Sequence, residues 1–347
     1  MGGVTLAVAG QVWRGWQQVS CRRALDDFAG SWDLQVTERW PGQPDKREIK
    51  AGLPCALGLD GAIALSGYID AVSIDEGRDS HTVRVSGRGP GGDLVDCDVL
   101  PPWDYRNLDL TALATKLAAP FGLTVRAETD VGAPFERFAI QPGETVFTAI
   151  ERACRLRAVL PSTDTRDGIV LTRAGAGGAA PVALSRGGDD GTIKSASRRT
   201  SWAERFSEVH ARGQQEHHDE IDTEQAAGPA AVVRDGEISR YRPKLLVAEG
   251  QGNGGTLQER AAWQVAVAKG KADEATVTVQ GWRAGTNGPL WQPNWTIAVT
   301  DPLLGLMGAT RLIAGVTMTV DRQGGSLTTL RLVPPEAFLL ESGGGQE

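Results

Sequence analysis

The chain has 347 residues, 41% of them apolar, with 36 Lys plus Arg against 43 Asp plus Glu and a formal charge of −7. That length favours two or more folded units, because single cores stop growing near roughly 250–300 residues. The acidic balance excludes the broad basic footprint of tight nucleic-acid binding, four scattered cysteines (Cys21, Cys55, Cys97, Cys154) exclude a disulfide scaffold, and no apolar run reaches the ~18 residues of a membrane span.

Ala7-Val8-Ala9 mimics a signal-peptidase site, but no basic segment or long apolar core accompanies it, so folding in a reducing cytoplasm is expected. The 44 glycines and 18 prolines are spread along the chain and predict many tight turns between short strands. A hairpin is expected over Val4–Ala9 and Gln11–Trp16, followed by strands at Ser31–Thr37, Cys55–Leu59, Ala62–Ile74 and His81–Ser86. In the last of these, Val83 and Val85 share one face and Thr82, Arg84 and Ser86 the other, the period of two that a half-buried strand requires.

From Pro101 the pattern changes. Leu110, Leu113 and Leu117 form one helical stripe, opened by Asn107 or Asp109 and closed by Pro120 and Gly122. A strand at Leu123–Ala127, a helix carrying Val146, Ile150 and Ala153, and a hairpin of Ala158–Leu160 with Gly168–Thr172 around Asp164–Asp167 complete a small α/β unit. Strands resume at Glu204–Arg212, and Gln214–Gly236 reads as a polar excursion. A helix over Leu257–Ala268 has Thr256 and Glu259 at capping-box spacing. Strands at Ala275–Trp282, Thr296–Thr300, Leu312–Val320 and Thr328–Val333 precede a loose Gly343–Gly345 tail.

An internal echo links the two ends. Gly67 to Asp75, a turn and Thr82-Val-Arg-Val85 resemble Gly315 to Asp321, a turn and Thr329-Leu-Arg-Leu332; Ser20-Cys-Arg-Arg before Phe28 resembles Ser197-Arg-Arg before Phe206. Any two amphipathic hairpins can share such a pattern, but two echoes in one order favour two related barrels with the α/β unit between them. If so, Val83 and Val85 should match Leu330 and Leu332 facing inward, with Arg84 and Arg331 both on the outer face or lining a shared surface.

Catalytic and ligand motifs are weighed against their surroundings. Gly87-x-Gly89-x-x-Gly92 follows a strand but lacks the full helix and βαβ unit of a dinucleotide site, so a glycine-rich turn is expected. His217-His218-Asp219-Glu220 are adjacent residues that seldom converge on one ion, and read as a solvated loop. Asp26-Asp27 and Asp96/Asp98 have nothing but charge to suggest acid–base work, and Arg22–Arg23 and Arg198–Arg199 are expected to be solvated. Asn294-Trp295-Thr296 is a formal glycosylation sequon. Catalytic, metal and cofactor residues are therefore expected to be none, and the chain is not expected to be an enzyme. The Pro142-Gly143-Glu144-Thr145 helix start resembles LysM modules, so a glycan-binding or peptidoglycan-degrading tail component stands as the alternative. Ten tryptophans, among them Trp263, Trp282, Trp291 and Trp295, suit both cores and oligomer interfaces.

In order, several segments resemble the Mu-like phage baseplate hub family, also called tail protein P. They are Val4-Thr5-Leu6 through Trp13-x-Gly15-Trp16, Gly67-Tyr-Ile-Asp70, Val83 to Arg88 leading into Asp93–Cys97, Glu144-Thr145-Val146 and Arg205-Phe206-Ser207-Glu208. Arg240, Tyr241, Arg242, Pro243, Gly281, Trp282, Leu290, Trp291, Pro293 and Asn294 complete the set, with the stretches after His217 and over Gly250–Gly255 departing most. The resemblance implies a mainly β protein related to contractile-tail hubs and to the hub part of type VI spike proteins. Its parts would be two related antiparallel, tube-like barrels, an inserted LysM-like α/β domain and a smaller fourth domain. On this chain they fall at 1–100, at 101–195, at 196–215 plus 275–338, and at 216–274, with a tail at 339–347. The implied role is a trimeric ring in the virion tail that adapts a six-fold tube to a three-fold spike and forms part of the DNA conduit. The implied partners are further copies of the chain, a central spike, a tail tube or tube initiator, a tape measure protein and baseplate wedge proteins.

Overall fold

The computed structural model describes residues 3–37, 49–77, 81–166, 168–187, 191–213, 230–248, 254–321 and 325–340. His217–Glu220 and the Gly343–Gly345 tail lie outside them. The first unit runs β1 (Val4–Val8), β2 (Gln11–Trp13), β3 (Gln18–Ala24), β4 (Asp27–Thr37), β5 (Pro54–Leu59), β6 (Ala62–Glu76) and β7 (His81–Arg88). The expected second strand stops at Trp13, and β3, not foreseen as a strand, takes the next place.

The α/β unit contains α1 (Gly91–Asp96), β8 (Asp104–Leu108), α2 (Leu110–Ala118), β9 (Thr124–Ala127), β10 (Phe135–Ala139), α3 (Val146–Arg155), β11 (Leu160–Thr163) and β12 (Gly168–Thr172). The predicted leucine stripe is buried on α2, and Asp109 rather than Asn107 caps it, accepting the Ala112 amide at 2.7 Å. β11 and β12 form the expected hairpin, and β9 pairs with β12 in parallel. The unit is fixed to the first barrel by bonds to backbone carbonyls: the Arg23 guanidinium donates to that of Thr163, the Thr163 hydroxyl to that of Phe28, and Ser66 N–H to that of Thr165.

Beyond it come β13 (Leu184–Ser185), β14 (Ile193–Thr200), β15 (Glu208–Gly213), β16 (Ala230–Arg234), β17 (Pro243–Ala248), α4 (Gly254–Lys271), β18 (Asp273–Gln280), β19 (Thr296–Asp301), β20 (Leu306–Asp321) and β21 (Gly325–Val333). Three expectations shift here. The boundary at 195 falls inside β14. The strand at 208–213 leaves the second barrel and becomes the centre of a separate sheet, β16-β15-β17, packed on α4 through Val209, Ala211, Leu257 and Ala261. And α4 begins at Gly254, so Thr256 lies within its first turn and not ahead of it.

The two barrel units repeat one topology. Strand order is β3-β4-β7-β6-β5-β1 in the first and β14-β18-β21-β20-β19-β13 in the second, with β1 antiparallel to β5 but β13 parallel to β19. Corresponding irregularities fall at Ile69/Ala71 and Ile313/Gly315, and again at Leu57/Gly58 and Val299/Asp301. Aligning on them equates Ile69 with Ile313, Leu57 with Val299, Leu34 with Val277, Val85 with Leu330 and Ser20 with Ser197. The upstream echo at Ser20 and Ser197 therefore holds, although Phe206 leads into β15 and not into the counterpart of β4. The hairpin echo slides: Val85 faces the place of Leu330, but Gly87, not Val85, takes that of Leu332. The slip is even, so faces are kept. Val85, Leu330 and Leu332 are buried, Val83 packs against the same core, and Arg84 and Arg331 take the other face.

The slip exposes a volume exchange. Trp32 lies opposite Gly87 in the first unit, where the second sets Ala275 opposite Leu332. A Cβ on Gly87 would come 2.1 Å from the Tyr68 carbonyl and 2.5 Å from the Trp32 ring, so the large residue on β4 demands glycine on β7. The expected glycine-rich turn is in fact the end of β7 running into α1; Gly87, Gly89 and Gly91 all sit where a side chain would collide. Gly87→Ala is expected to lower stability by about 3 kcal/mol, whereas Gly236→Ala, at a site with no neighbour within 4 Å, should leave it unchanged. Thermal melts of the two variants check this.

Candidate assembly surface

The two units are joined edge to edge within the chain. Beyond the bulge, β20 pairs with β21 on one side and antiparallel with β3 on the other, from Gly315 opposite Ala24 to Val320 opposite Val19. The result is one continuous sheet, β14-β18-β21-β20-β3-β4-β7-β6, with β5 and β1 continuing beyond the first half of β6. One face carries the apolar residues of both units in a single cluster that includes Val19, Leu34, Val85, Val277, Met318 and Leu330. The other face is polar. Ser195, Thr278, Thr329, Thr317, Arg22, Ser31 and Arg88 align across seven strands. Several of its arginines are held by carboxylates: Arg84 by Asp33 at 3.6 Å, Arg88 by Asp70 at 2.8 Å and Asp96 at 2.6 Å, and Arg331 by Asp26 at 2.6 Å. Asp26 and Asp96, weighed as acid–base candidates, are thus engaged with different arginines.

The ends of this sheet have open edges. Among the described residues β14 pairs only with β18, and β6 over Ala71–Glu76 pairs only with β7. An edge strand carries unpaired backbone N–H and C=O groups and is a template for another strand.

Several motif positions make contacts between segments distant in sequence. Arg242 stitches the start of β17 to the loop before β15, donating to the carbonyls of Arg205 at 2.9 Å and Ala203 at 2.7 Å while its N–H reaches Ser207 Oγ at 2.8 Å. Pro243 opens β17 opposite Glu208, whereas Arg240 and Tyr241 are exposed. Arg205 is buried between Asp235 at 2.6 Å and Glu237 at 2.7 Å, and Lys269 of α4 reaches the same Glu237. Gly281 has φ +78°, and the Trp282 that follows is fully buried, its indole donating to the Thr319 carbonyl at 3.0 Å. Trp291 donates its backbone N–H to Trp282, with Pro293 half-buried beyond it. Asn294, left-handed at φ +69°, accepts the Gly175 N–H at 2.8 Å and donates to Thr172 Oγ1 and the Arg173 carbonyl. The sequon asparagine is thus a buried clamp between the α/β unit and the second barrel. Sequence reasoning missed Asp273, which binds Arg198 at 2.7 Å and Arg311 at 2.7 Å. Burial pushes its carboxyl up, but the two guanidinium groups together hold it below the usual carboxylate range. Arg198 and Arg23 are therefore structural and not solvated as expected; burial lowers the Arg23 guanidinium.

The LysM-like helix start is a capping arrangement. Thr145 accepts the Thr148 amide, and Glu144, its carboxyl held low by Arg152, accepts Arg152 at 2.8 Å and the Gln141 amide at 3.0 Å. Among the described residues no helix is long and apolar enough to cross a membrane.

Comparison with known proteins bears on all four parts. Residues 3–89 match the N-terminal domain model of Mu phage GpP-like baseplate assembly proteins, residues 91–173 the second domain of gp44-like baseplate hub proteins, and residues 254–341 the fourth domain of Mu phage GpP. Baseplate hub protein gp44 of Escherichia phage Mu is 28% identical over 345 residues, 97% of this chain and 89% of that one. The 43 kDa tail protein of prophage MuSo2 from Shewanella oneidensis is 33% identical, with TM-score 0.86 over 97% of this chain and 99% of its own. The tail protein of Neisseria meningitidis MC58 is 25% identical, with TM-score 0.81 over 99% and 98%. A type VI secretion component of E. coli shares the fold alone, at 13% identity and TM-score 0.58 over 95% and 76%. The α/β unit thus matches a hub domain, and the glycan-binding alternative is not supported.

Two outcomes follow from the clamps. Asn294→Ala should cost about 2–3 kcal/mol by leaving the Gly175 amide without its acceptor, read as a lower denaturation midpoint. Because the Asp273 carboxyl is depressed in the folded chain, its contribution is complete above the unfolded value near ~3.9 and is lost as pH falls through the lower folded value. Asp273→Asn should therefore flatten the acid limb of the stability profile below about pH 4, measured by denaturant titration at several pH values.

Proposed function

This chain belongs to the Mu-like phage baseplate hub family and is a structural protein of the tail baseplate, and from that premise we propose that three copies close into a ring around the tail axis. The observation that carries this reading is the repeated topology. One chain holds two equivalent barrel units already joined edge to edge, with an open strand edge at each end of the sheet. Repeating a head-to-tail contact of that kind generates a ring when the rotation closes. Three chains then present six nearly equivalent units on the wall and three copies of everything inserted between strands. Such a ring fits a six-fold tail tube on one side and a three-fold central spike on the other, with tape measure and wedge proteins as further partners.

In this ring the polar sheet face lines the bore. Its serines, threonines and carboxylate-held arginines suit a passage through which DNA slides, since unpaired cations would hold its phosphates. The α/β unit and the β16-β15-β17 sheet with α4 pack outside the wall, and the chain has a structural and not a catalytic role. Domain boundaries consistent with this reading are a first barrel to residue 88, an α/β unit to 173, and a second barrel from 184 that is interrupted after 200 by the β16-β15-β17 sheet with α4 and resumes at 273.

Light scattering of the purified chain should give three times the 36.8 kDa of one copy at micromolar concentration. A chain that stays single, alone and with its spike partner added, overturns the ring.

A further inference from the structure

Resting on that ring, the chain's internal repeat specifies the contact between copies. We infer that the open edge of β6 pairs antiparallel with the open edge of β14 in a second copy, with Val72 opposite Thr200, Ser73 opposite Arg199, Asp75 opposite Ser197 and Trp202 seated on Tyr68. The register comes from the joint already present inside the chain. There β20 meets β3 with Val316 opposite Arg23, Thr317 opposite Arg22 and Thr319 opposite Ser20. The two irregularities shared by the units make β6 the counterpart of β20, four residues Val72 to Asp75 replacing Val316 to Thr319. The pairings onto β4 and β18 make β14 the counterpart of β3, Ser197 to Thr200 replacing Ser20 to Arg23. Substituting each strand by its counterpart yields the stated pairs.

The exposed side chains fall where this contact needs them. Met318, in the internal joint, is 1% exposed; its counterpart Ile74 is 61% exposed, on a strand whose outer edge is open. One residue past the end of β3's pairing, Leu25 is 7% exposed and packs with Leu312 and Val333. Counting along the strands places Trp202 at the position of Leu25, Tyr68 at that of Leu312 and Arg88 at that of Val333. Trp202 and Tyr68 are 44% and 40% exposed. The internal joint thus buries an aliphatic contact where the external one offers a large aromatic pair with a guanidinium beside it, a combination suited to a contact between separate chains. Charge agrees: Asp75 and Glu76 end one edge, and Arg199 lies on the other. A second copy is the occupant because β14 is the strand that stands in β3's place, and within one chain these two edges lie at opposite ends of the eight-strand path.

Cysteine pairs test the register. In a Cys97→Ser background, which removes the exposed native thiol, the double variant Asp75→Cys/Ser197→Cys is oxidised mildly and run on a non-reducing gel. A covalent trimer is expected, while the pair Ser73→Cys/Ser197→Cys, displaced by two residues, should stay largely uncrosslinked. Light scattering of the wild-type chain separates the two possible failures. If the chain is trimeric but the displaced pair crosslinks as well or better, or neither pair does, this contact is wrong and the ring survives; if the chain is monomeric and neither pair crosslinks, the ring itself is lost. Trp202→Ala and Tyr68→Ala, both at exposed positions, should each raise the trimer's dissociation midpoint concentration at least tenfold without changing the monomer's circular dichroism. An unchanged midpoint in both overturns the anchor.

Discussion

A β-strand has two hydrogen-bonding edges, and β20 uses both along the same stretch. Over Gly315–Val320 it serves β21 on one side and β3 on the other. Without that double use the chain would hold two separate small sheets, each with exposed edges that must be blunted or covered. With it, two units share one apolar cluster and one polar face. The bulge at Ile313/Gly315 makes this possible, because a bulge bends its strand and changes its twist. The first half of β20 can then pair with β19 while the second half turns to meet β3. Gly315 sits at the crossing, where a Cβ would come 3.3 Å from that of Ala24.

Much of this was legible in the chain. The strands with clean alternation, β5 and β18, bury every second residue (Cys55, Leu57 and Leu59; Ala275, Val277 and Val279), and the α2 and α3 stripes follow helical spacing. β3 was not legible as a strand because Gln18-Val-Ser-Cys-Arg-Arg breaks the alternation at Arg23, a charge buried where an apolar residue would be read. Tertiary partners, the Thr163 carbonyl and the nearby Asp164 charge, make that arginine tolerable. The strand at 208–213 was recognised but assigned to the wrong sheet, since period-two patterning says which face is buried and nothing about the neighbour. The repeat was legible in kind and displaced in register, because Gly67 and Gly315 look alike in sequence while the bulges that define equivalence leave no residue signature.

The assembly surface divides in the same way. Motif positions such as Trp282, Arg242 and Asn294 could be singled out by their order, but their work as clamps depends on carbonyls far away in sequence. Asp273 carried no signal at all: an acidic residue at the head of a strand is ordinary until Arg198 and Arg311 converge on it. Open edges are equally silent, being a property of what a strand lacks beside it.

The exchange between Trp32 with Gly87 and Ala275 with Leu332 has a further meaning. Two halves of one topology keep a shared cross-section by opposite choices, bulk on β4 in the first and on β21, the counterpart of β7, in the second. A segment carrying Trp32 laid against Leu332 would overfill the space between the layers, and Ala275 against Gly87 would leave it hollow. Each half can therefore complete only itself. During synthesis, when both copies of the motif are present on one unfolded chain and on its neighbours, this mismatch discriminates against strand exchange between like folds, so that the interior acts as proofreader for a topology used twice.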